Sequence, residues 1–214
     1  MKNIILFVLS LTLLSCSAQQ KMTDYNSLWK KVEDLADKKG LPASALAEVK
    51  KIYSLAKKEK NDAQLIRALL YQVRLTETNT EDADQKNFDL IRRELSEAKE
   101  PARSLLHSVL ASAYYGYFQE NRWKLYDRTM TTGPKTEDIE TWNADDLHAV
   151  ISEHYLKSLK EKDLLLKQPL SQYEPVINKG NVRQLRPTLY DLLAHTALRY
   201  FTNPERDIRQ TAKT

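Results

Sequence analysis

The stretch Pro-Ala-Ser-Ala-Leu-Ala-Glu-Val-Lys-Lys-Ile-Tyr-Ser-Leu-Ala, residues 42–56, decides the fold class because its apolar side chains recur with the period of an α-helix. Proline suits the first turn of a helix, where its missing N–H leaves no hydrogen bond unmade. The apolar stripe consists of Ala45, Leu46, Val49, Ile52, Tyr53 and Ala56. We therefore predict a helix that begins at Pro42 and is broken at residues 61–62, where Asp62 caps the next helix.

Similar stripes lie on both sides of this stretch. Upstream, Leu28, Val32 and Leu35 share a helical face, and Gly40 falls where a left-handed helix end is expected. Downstream, apolar residues at helical spacing over 65–73, 88–98 and 105–117 predict three more helices, and Pro101 opens the last of them. The first five helices are joined by short connections, so we expect them to pack as antiparallel hairpins.

The second half of the chain is less regular. Residues 129–137 contain Gly133-Pro134 and predict a loop, and Trp142 introduces a helix that ends at about Leu159. Pro187 starts the last predicted helix, which covers residues 189–201. Between these two helices, the chain is broken into short pieces at Pro169, Pro175 and Gly180.

These patterns predict an all-α protein made of antiparallel helical hairpins. With only four glycines in 214 residues, the chain lacks the many tight turns of an all-β fold. The spacing within residues 41–56 is typical of a tetratricopeptide-like hairpin, but no second copy follows at a 34-residue period. Two architectures stay open: a tetratricopeptide-like solenoid and an irregular helical bundle. We divide the helical part into a hairpin region, residues 24–127, and a second helical region, residues 128–202, followed by a polar tail at 203–214.

The N-terminus has the pattern of a secretory signal. Lys2 precedes an apolar run of about a dozen residues, which is too short to span a bilayer, and the single cysteine of the chain follows at position 16. Leu13-Leu14-Ser15-Cys16 resembles a bacterial lipobox. We predict a signal peptide at residues 1–15, a lipidated Cys16, and a tether that extends to residue 23; the alternative is an ordinary signal with an incidental cysteine. A lone cysteine excludes an intramolecular disulfide.

The charge pattern argues against a nucleic-acid partner. The chain has a net charge of +4, and loss of Lys2 with the signal leaves about +3. Basic and acidic residues are interspersed, which is typical of a solvated surface. The expected partners are the membrane, through the lipid on Cys16, and other proteins; we expect no nucleic acid and no small-molecule substrate.

The histidines are the first candidates for catalytic or metal-binding residues. The chain has His107, His148, His154 and His195, and Asp191 lies four residues before His195 on one helical face. Such a pair is suited to acid–imidazole chemistry or to two ligands of a metal site. No third ligand and no catalytic or phosphate-binding motif accompanies it. We therefore predict a packing or intrahelical hydrogen-bonding role for His195, no cofactor or metal, and no enzymatic activity.

Two aromatic segments have alternative interpretations. In residues 122–128, cationic and aromatic side chains alternate, as in surfaces that stack bases or contact acidic lipids. Trp123 and Tyr126 are three residues apart, however, which favours a place in the core. In residues 114–118, we expect the aromatic side chains to pack tightly around Gly116, or to form a partner groove if they are exposed.

Several blocks of sequence carry a resemblance to a known family. In order along the chain, they cover residues 25–32, 40–42, 44–46, 105–108, 121–124, 142–144 and 186–195, after the lipobox. Together they resemble the opening of the large alpha-2-macroglobulin family lipoproteins of Bacteroidetes. The resemblance spans nearly the whole chain but only the N-terminal helical region of that family.

The resemblance implies a role beside a protease trap and not the trap itself. Family members continue into β-sandwich domains, a bait region and often a thioester domain, and the thioester needs a cysteine in a Cys-x-Glu-Gln motif that this chain lacks. We thus expect a fragment or truncated product whose role is that of a membrane-anchored helical arm. The alternative is a complete small lipoprotein that scaffolds envelope proteins. Ser17 after the cysteine favours the outer membrane, and the lack of an acidic cluster after Cys16 favours a protein that faces the periplasm.

Overall fold

A computed structural model of the chain describes residues 23–76, 83–128, 137–177 and 185–203. The predictions that concern Cys16, the signal peptide, the tether up to residue 22, the loop at 129–136, Gly180 and the tail from 204 lie outside these residues. Within the described residues, the protein is built from helices packed against each other, which confirms the predicted all-α class. The helices are α1 (Tyr25–Glu33), α2 (Pro42–Glu59), α3 (Asp62–Thr76), α4 (Ala83–Glu97), α5 (Ala102–Asp127), α6 (Ala144–Ser158), α7 (Lys162–Leu165) and α8 (Leu189–Phe201).

The connection between α1 and α2 follows the predicted glycine. Helix α1 continues into a π-helical turn, Asp34–Lys38, and Gly40 adopts a φ of 63°. The Leu41 N–H donates back to the Leu35 carbonyl at 2.9 Å, which closes the turn in the way of a glycine-terminated helix. The predicted left-handed end at Gly40 is confirmed, and Pro42 occupies the first turn of α2 as expected.

The connection between α2 and α3 corrects one prediction. Lys60 ends α2 with a φ of 54°, and the Asn61 side chain accepts a hydrogen bond from the Gln64 N–H at 3.2 Å. Asn61 therefore caps α3, and Asp62 is the first helical residue instead of the cap. The shift is one residue, and both residue types serve as caps equally well.

Helices α6 and α8 each begin with a capping box. In α6, Asn143 accepts from the Asp146 N–H and the Asp146 carboxylate accepts from the Asn143 N–H; Thr188 and Asp191 repeat this arrangement in α8. The helices thus begin at Ala144 and Leu189. The predicted extent of α8, residues 189–201, is therefore confirmed, whereas Trp142 precedes the start of α6 by two positions because the capping box at Asn143 sets that boundary.

Contacts between distant elements distinguish the two predicted architectures. Successive helices pack together, as hairpins do, from α1 on α2 to α5 on α6. A short 3-10 helix, Leu170–Val176, also packs against α3, and α8 packs against α5, α6 and α7. Since solenoid repeats contact only their neighbours, the described residues form an irregular helical bundle.

The core of the bundle is rich in aromatic residues. Trp29, Phe118, Tyr114 and Tyr200 are almost completely buried among aliphatic side chains from every long helix. In the described part of the chain, no helix is both long enough and apolar enough to cross a membrane.

Candidate functional site

Two histidines meet where α5 packs on α6. The Nδ1 atoms of His107 and His154 are 2.9 Å apart, and their ring centroids are separated by 5.0 Å. A neutral imidazole carries one N–H, so one ring donates its Nδ1–H to the bare Nδ1 of the other. We call these two residues the histidine pair.

Burial keeps the histidine pair neutral at pH 7. It is the largest cause that lowers the pKa of His154 to about 4, and the neighbouring charges of His107 and Lys157 lower it further. Burial also lowers the pKa of His107, again with a contribution from Lys157. A neutral pair holds one proton between its two nitrogens.

Aromatic side chains connect the pair to α4. His154 lies edge-on to Tyr114 at 6.1 Å, and Tyr114 contacts Phe88 at 4.7 Å and Trp142 at 5.6 Å between ring centroids. Arg92 of α4 donates from Nε to the Tyr114 hydroxyl at 2.8 Å. A change in the position or charge of the His154 ring would therefore directly affect Tyr114, whose contacts join α4, α5 and the segment just before α6.

The other two histidines join different elements. His148 on α6 has its Nδ1 2.8 Å from the hydroxyl of Tyr200 on α8, and its ring packs on Phe118. His195 accepts from Arg186 through Nε2 at 2.7 Å. Its partner thus precedes α8, which corrects the intrahelical alternative in the prediction of a packing or intrahelical hydrogen-bonding role.

The structure does not bring Asp191 and His195 together as a site. Both carboxylate bonds of Asp191 are to Thr188, whose N–H and hydroxyl donate at 3.0 and 2.6 Å. Among the residues the structure describes, no group of three or more histidine, cysteine or acidic side chains is placed to hold a metal ion.

Trp123 and Gly116 differ from their predictions. The Trp123 side chain is 74 % exposed, with the Arg122 guanidinium 5.2 Å from its ring, whereas Leu125 is fully buried. The expectation of a core Trp123 is therefore wrong. Tyr114, Tyr117 and Phe118 are buried as expected, but they do not pack around Gly116, where an added Cβ would have no atom within 4 Å.

A second candidate site, which the sequence did not indicate, is a cleft of about 640 Å³ between α1, α3 and the 3-10 helix Leu170–Val176. Its polar lining comes from Asn26, Gln64, Arg67, Tyr71 and Glu174. The Arg67 guanidinium lies 4.2 Å from the Trp29 ring and pairs with Glu33 at 3.3 Å. The cleft joins residues more than 100 positions apart, so local patterns carry no signal for it.

The chain matches no protein-family model, no curated protein and no solved structure. The resemblance to the alpha-2-macroglobulin family therefore rests on its sequence blocks alone. The arguments about function that follow start from those blocks, from the lipobox and from the contacts of the described residues.

Proposed function

We propose that this protein is a non-catalytic, lipid-anchored helical arm of the bacterial envelope, which holds an alpha-2-macroglobulin-like protease trap at the membrane. The lipobox at Cys16 supports the anchor, and the ordered blocks from residue 25 to residue 195 support the link to the trap family. This chain by itself has no cysteine left for a thioester. Its part is to position the trap.

The first residues of the bundle are fixed to the end of α2, which limits their distance from Cys16. Thr23 and Tyr25 both donate hydroxyl hydrogen bonds to Glu59, the last residue of α2, and the Tyr25 bond is 2.7 Å long. The chain thus enters the bundle at a fixed point, seven residues after Cys16. Seven residues span at most about 25 Å, so a lipid on Cys16 would hold this end of the bundle close to the bilayer.

Membrane fractionation of a Cys16→Ala variant tests the anchor. We expect the variant to lose both its incorporation of radiolabelled fatty acid and its place in the membrane fraction, because several acyl chains at about 0.8 kcal/mol per methylene supply the binding. Ser17→Ala, which keeps the cysteine, serves as the matched control and stays in the membrane. Unchanged fractionation of Cys16→Ala would show that the lipobox is not used. Separation of inner from outer membranes and protease access to intact cells test the proposed periplasmic face of the outer membrane.

The size of the native product separates the arm from the second candidate, a complete small lipoprotein that scaffolds other proteins. An antibody against residues 24–214 is used on membrane fractions of the source cells. A band far above 24.8 kDa supports the arm, and a band near 24.8 kDa supports the scaffold.

A further inference from the structure

We propose that the histidine pair is a proton-operated latch, which holds α6 on α5 while the two imidazoles share a proton and releases it when both rings are protonated. The pair joins two long helices through residues 47 positions apart. Its nitrogens face each other directly at 2.9 Å, so the protonation of the rings controls the contact itself. This property does not depend on the proposed function.

The latch opens at the second protonation of the pair. In the neutral pair, one Nδ1 donates and the other accepts. A first added proton is accommodated on the outward Nε2 of the donor ring, where it leaves the N–H···N bond intact and makes it charge-assisted. A second added proton has to occupy the acceptor Nδ1. Two N–H groups then face each other with no lone pair between them, and the 2.9 Å contact cannot persist.

The charged groups around the pair favour opening at acidic pH. Lys157 and Glu153 face it from α6, Arg103 and Glu100 from α5 and the residues just before it, and Arg92 from α4. Glu100 and Glu153 favour protonated imidazoles while they are ionised. Lys157, Arg103 and Arg92 oppose that protonation, because the three cations repel two imidazolium rings that also repel each other.

The direction of the pH effect follows from linkage. The pKa values of both histidines are lowered in the folded protein, so the unfolded chain binds more protons between an ordinary histidine pKa of about 6.5 and a folded value of about 4 for His154. The pair's contribution to stability is therefore complete above pH 6.5 and is lost as the pH falls towards 4.

The latch acts on the last two turns of α6. His154 lies four residues before the end of α6 at Ser158. Tyr155 in the same turns is buried and packs on Tyr200 and Phe201 of α8, so these turns stay attached to α8 when the pair opens. The opening therefore loosens α6 from α5 locally, around His154, and Tyr114 loses the ring of His154 from its edge.

NMR on the full chain, purified in detergent with ¹⁵N-labelled histidine, tests the latch directly. At pH 7 we expect a scalar coupling between the two Nδ1 nuclei across the hydrogen bond. On acidification, the two rings titrate in two coupled steps. Amide protection in the last two turns of α6, corrected for the intrinsic exchange rate, falls about tenfold or more through the second step, which is the factor supplied by one pKa unit.

Substitutions distinguish the latch from general acid denaturation. In the double variant His107→Gln, His154→Gln the end of α6 has no second-step loss of protection, while His195→Gln, the matched control on α8, keeps it. The proposal is overturned by the absence of the coupling at pH 7, by two independent titrations near 6.5, or by an equal loss of protection in the double variant. The scalar coupling and the two titrations are measured on the wild-type chain, so they test the latch even if the double variant does not fold.

Discussion

Two tryptophans of this chain lie in opposite environments, and they provide a matched test. Trp29 is 2 % exposed, donates from Nε1 to the buried Gln64 Oε1 at 2.6 Å, and lies under the Arg67 guanidinium. Phenylalanine would fill most of the space but remove the donor. We expect Trp29→Phe to lower the free energy of unfolding by about 2–3 kcal/mol, because the amide oxygen of Gln64 loses its partner and the cation–π contact weakens.

Trp123→Phe is the control for this substitution. Its side chain is 74 % exposed, so the free energy of unfolding should change by no more than about 0.5 kcal/mol. Urea titrations followed by circular dichroism measure both variants without dependence on tryptophan fluorescence. Equal losses in the two variants would contradict the burial of Trp29 and the hydrogen bond to Gln64.

Alanine substitutions at Gly40 and at Gly116 should change the stability in opposite directions. At Gly40 an added Cβ meets no atom within 4 Å, but the φ of 63° strains any L side chain, so Gly40→Ala should lower the free energy of unfolding by about 1 kcal/mol. Gly116 has the same free space inside α5, where alanine is the better helix former. Gly116→Ala should therefore raise the free energy of unfolding by about 0.5–1 kcal/mol. Thermal midpoints that shift in the same direction in both variants would contradict this assignment.

Helix α6 depends on its first residues for a defined start. Asn143 is buried, and its side chain accepts from the Asp146 N–H at 2.9 Å. Asn143→Ala removes this acceptor and should lower the free energy of unfolding by about 1–2 kcal/mol. Asn143→Ser retains an uncharged cap oxygen at this buried position beside the Asp146 carboxylate, so it should lose clearly less stability than Asn143→Ala. A comparable loss in both variants in chemical denaturation would show that the cap is not what stabilises α6.

Helix starts and ends were predictable where one residue type imposes them locally. Gly40, Pro42 and Pro101 each fix the backbone of a neighbouring helix end, and the structure agrees with all three. The inward face of a long helix is a different problem. At 100° per residue, Leu125 lies about 20° around α5 from buried Phe118 whereas Trp123 lies about 140° away, so the spacing of Trp123 to Tyr126 pointed to the wrong side.

The candidate sites could not be predicted for a related reason. The histidine pair and the cleft each join residues from helices far apart in the sequence, and no local spacing indicates which helices meet. Asp191 and His195, four residues apart, were the candidate pair from local spacing, but Asp191 accepts from Thr188 and His195 accepts from Arg186. Tertiary packing decides which of several chemically suitable side chains meet.

Packing between distant elements predicts that the described helices unfold as one cooperative unit. The 3-10 helix Leu170–Val176 lies against α3, and its Tyr173 is 4 % exposed. Burial raises the pKa of Tyr173 to about 12, with the charges of Asp62 and Glu100 adding to the effect. In a solenoid, the loss of one contact would affect mainly its neighbours, because each repeat is stabilised by the next.

Tyr173→Ala tests this cooperativity. Removing a buried aromatic side chain should lower the free energy of unfolding by about 3–5 kcal/mol. Because Tyr173 joins the C-terminal part of the bundle to α3, hydrogen exchange should accelerate in α2 and α3 as well as in α7 and α8, and unfolding should remain a single transition. Gln172→Ala, an exposed neighbour on the same 3-10 helix, should leave both measurements unchanged. Faster exchange confined to the residues after 160 would mean that the two parts unfold separately and that the contact with α3 does not join them.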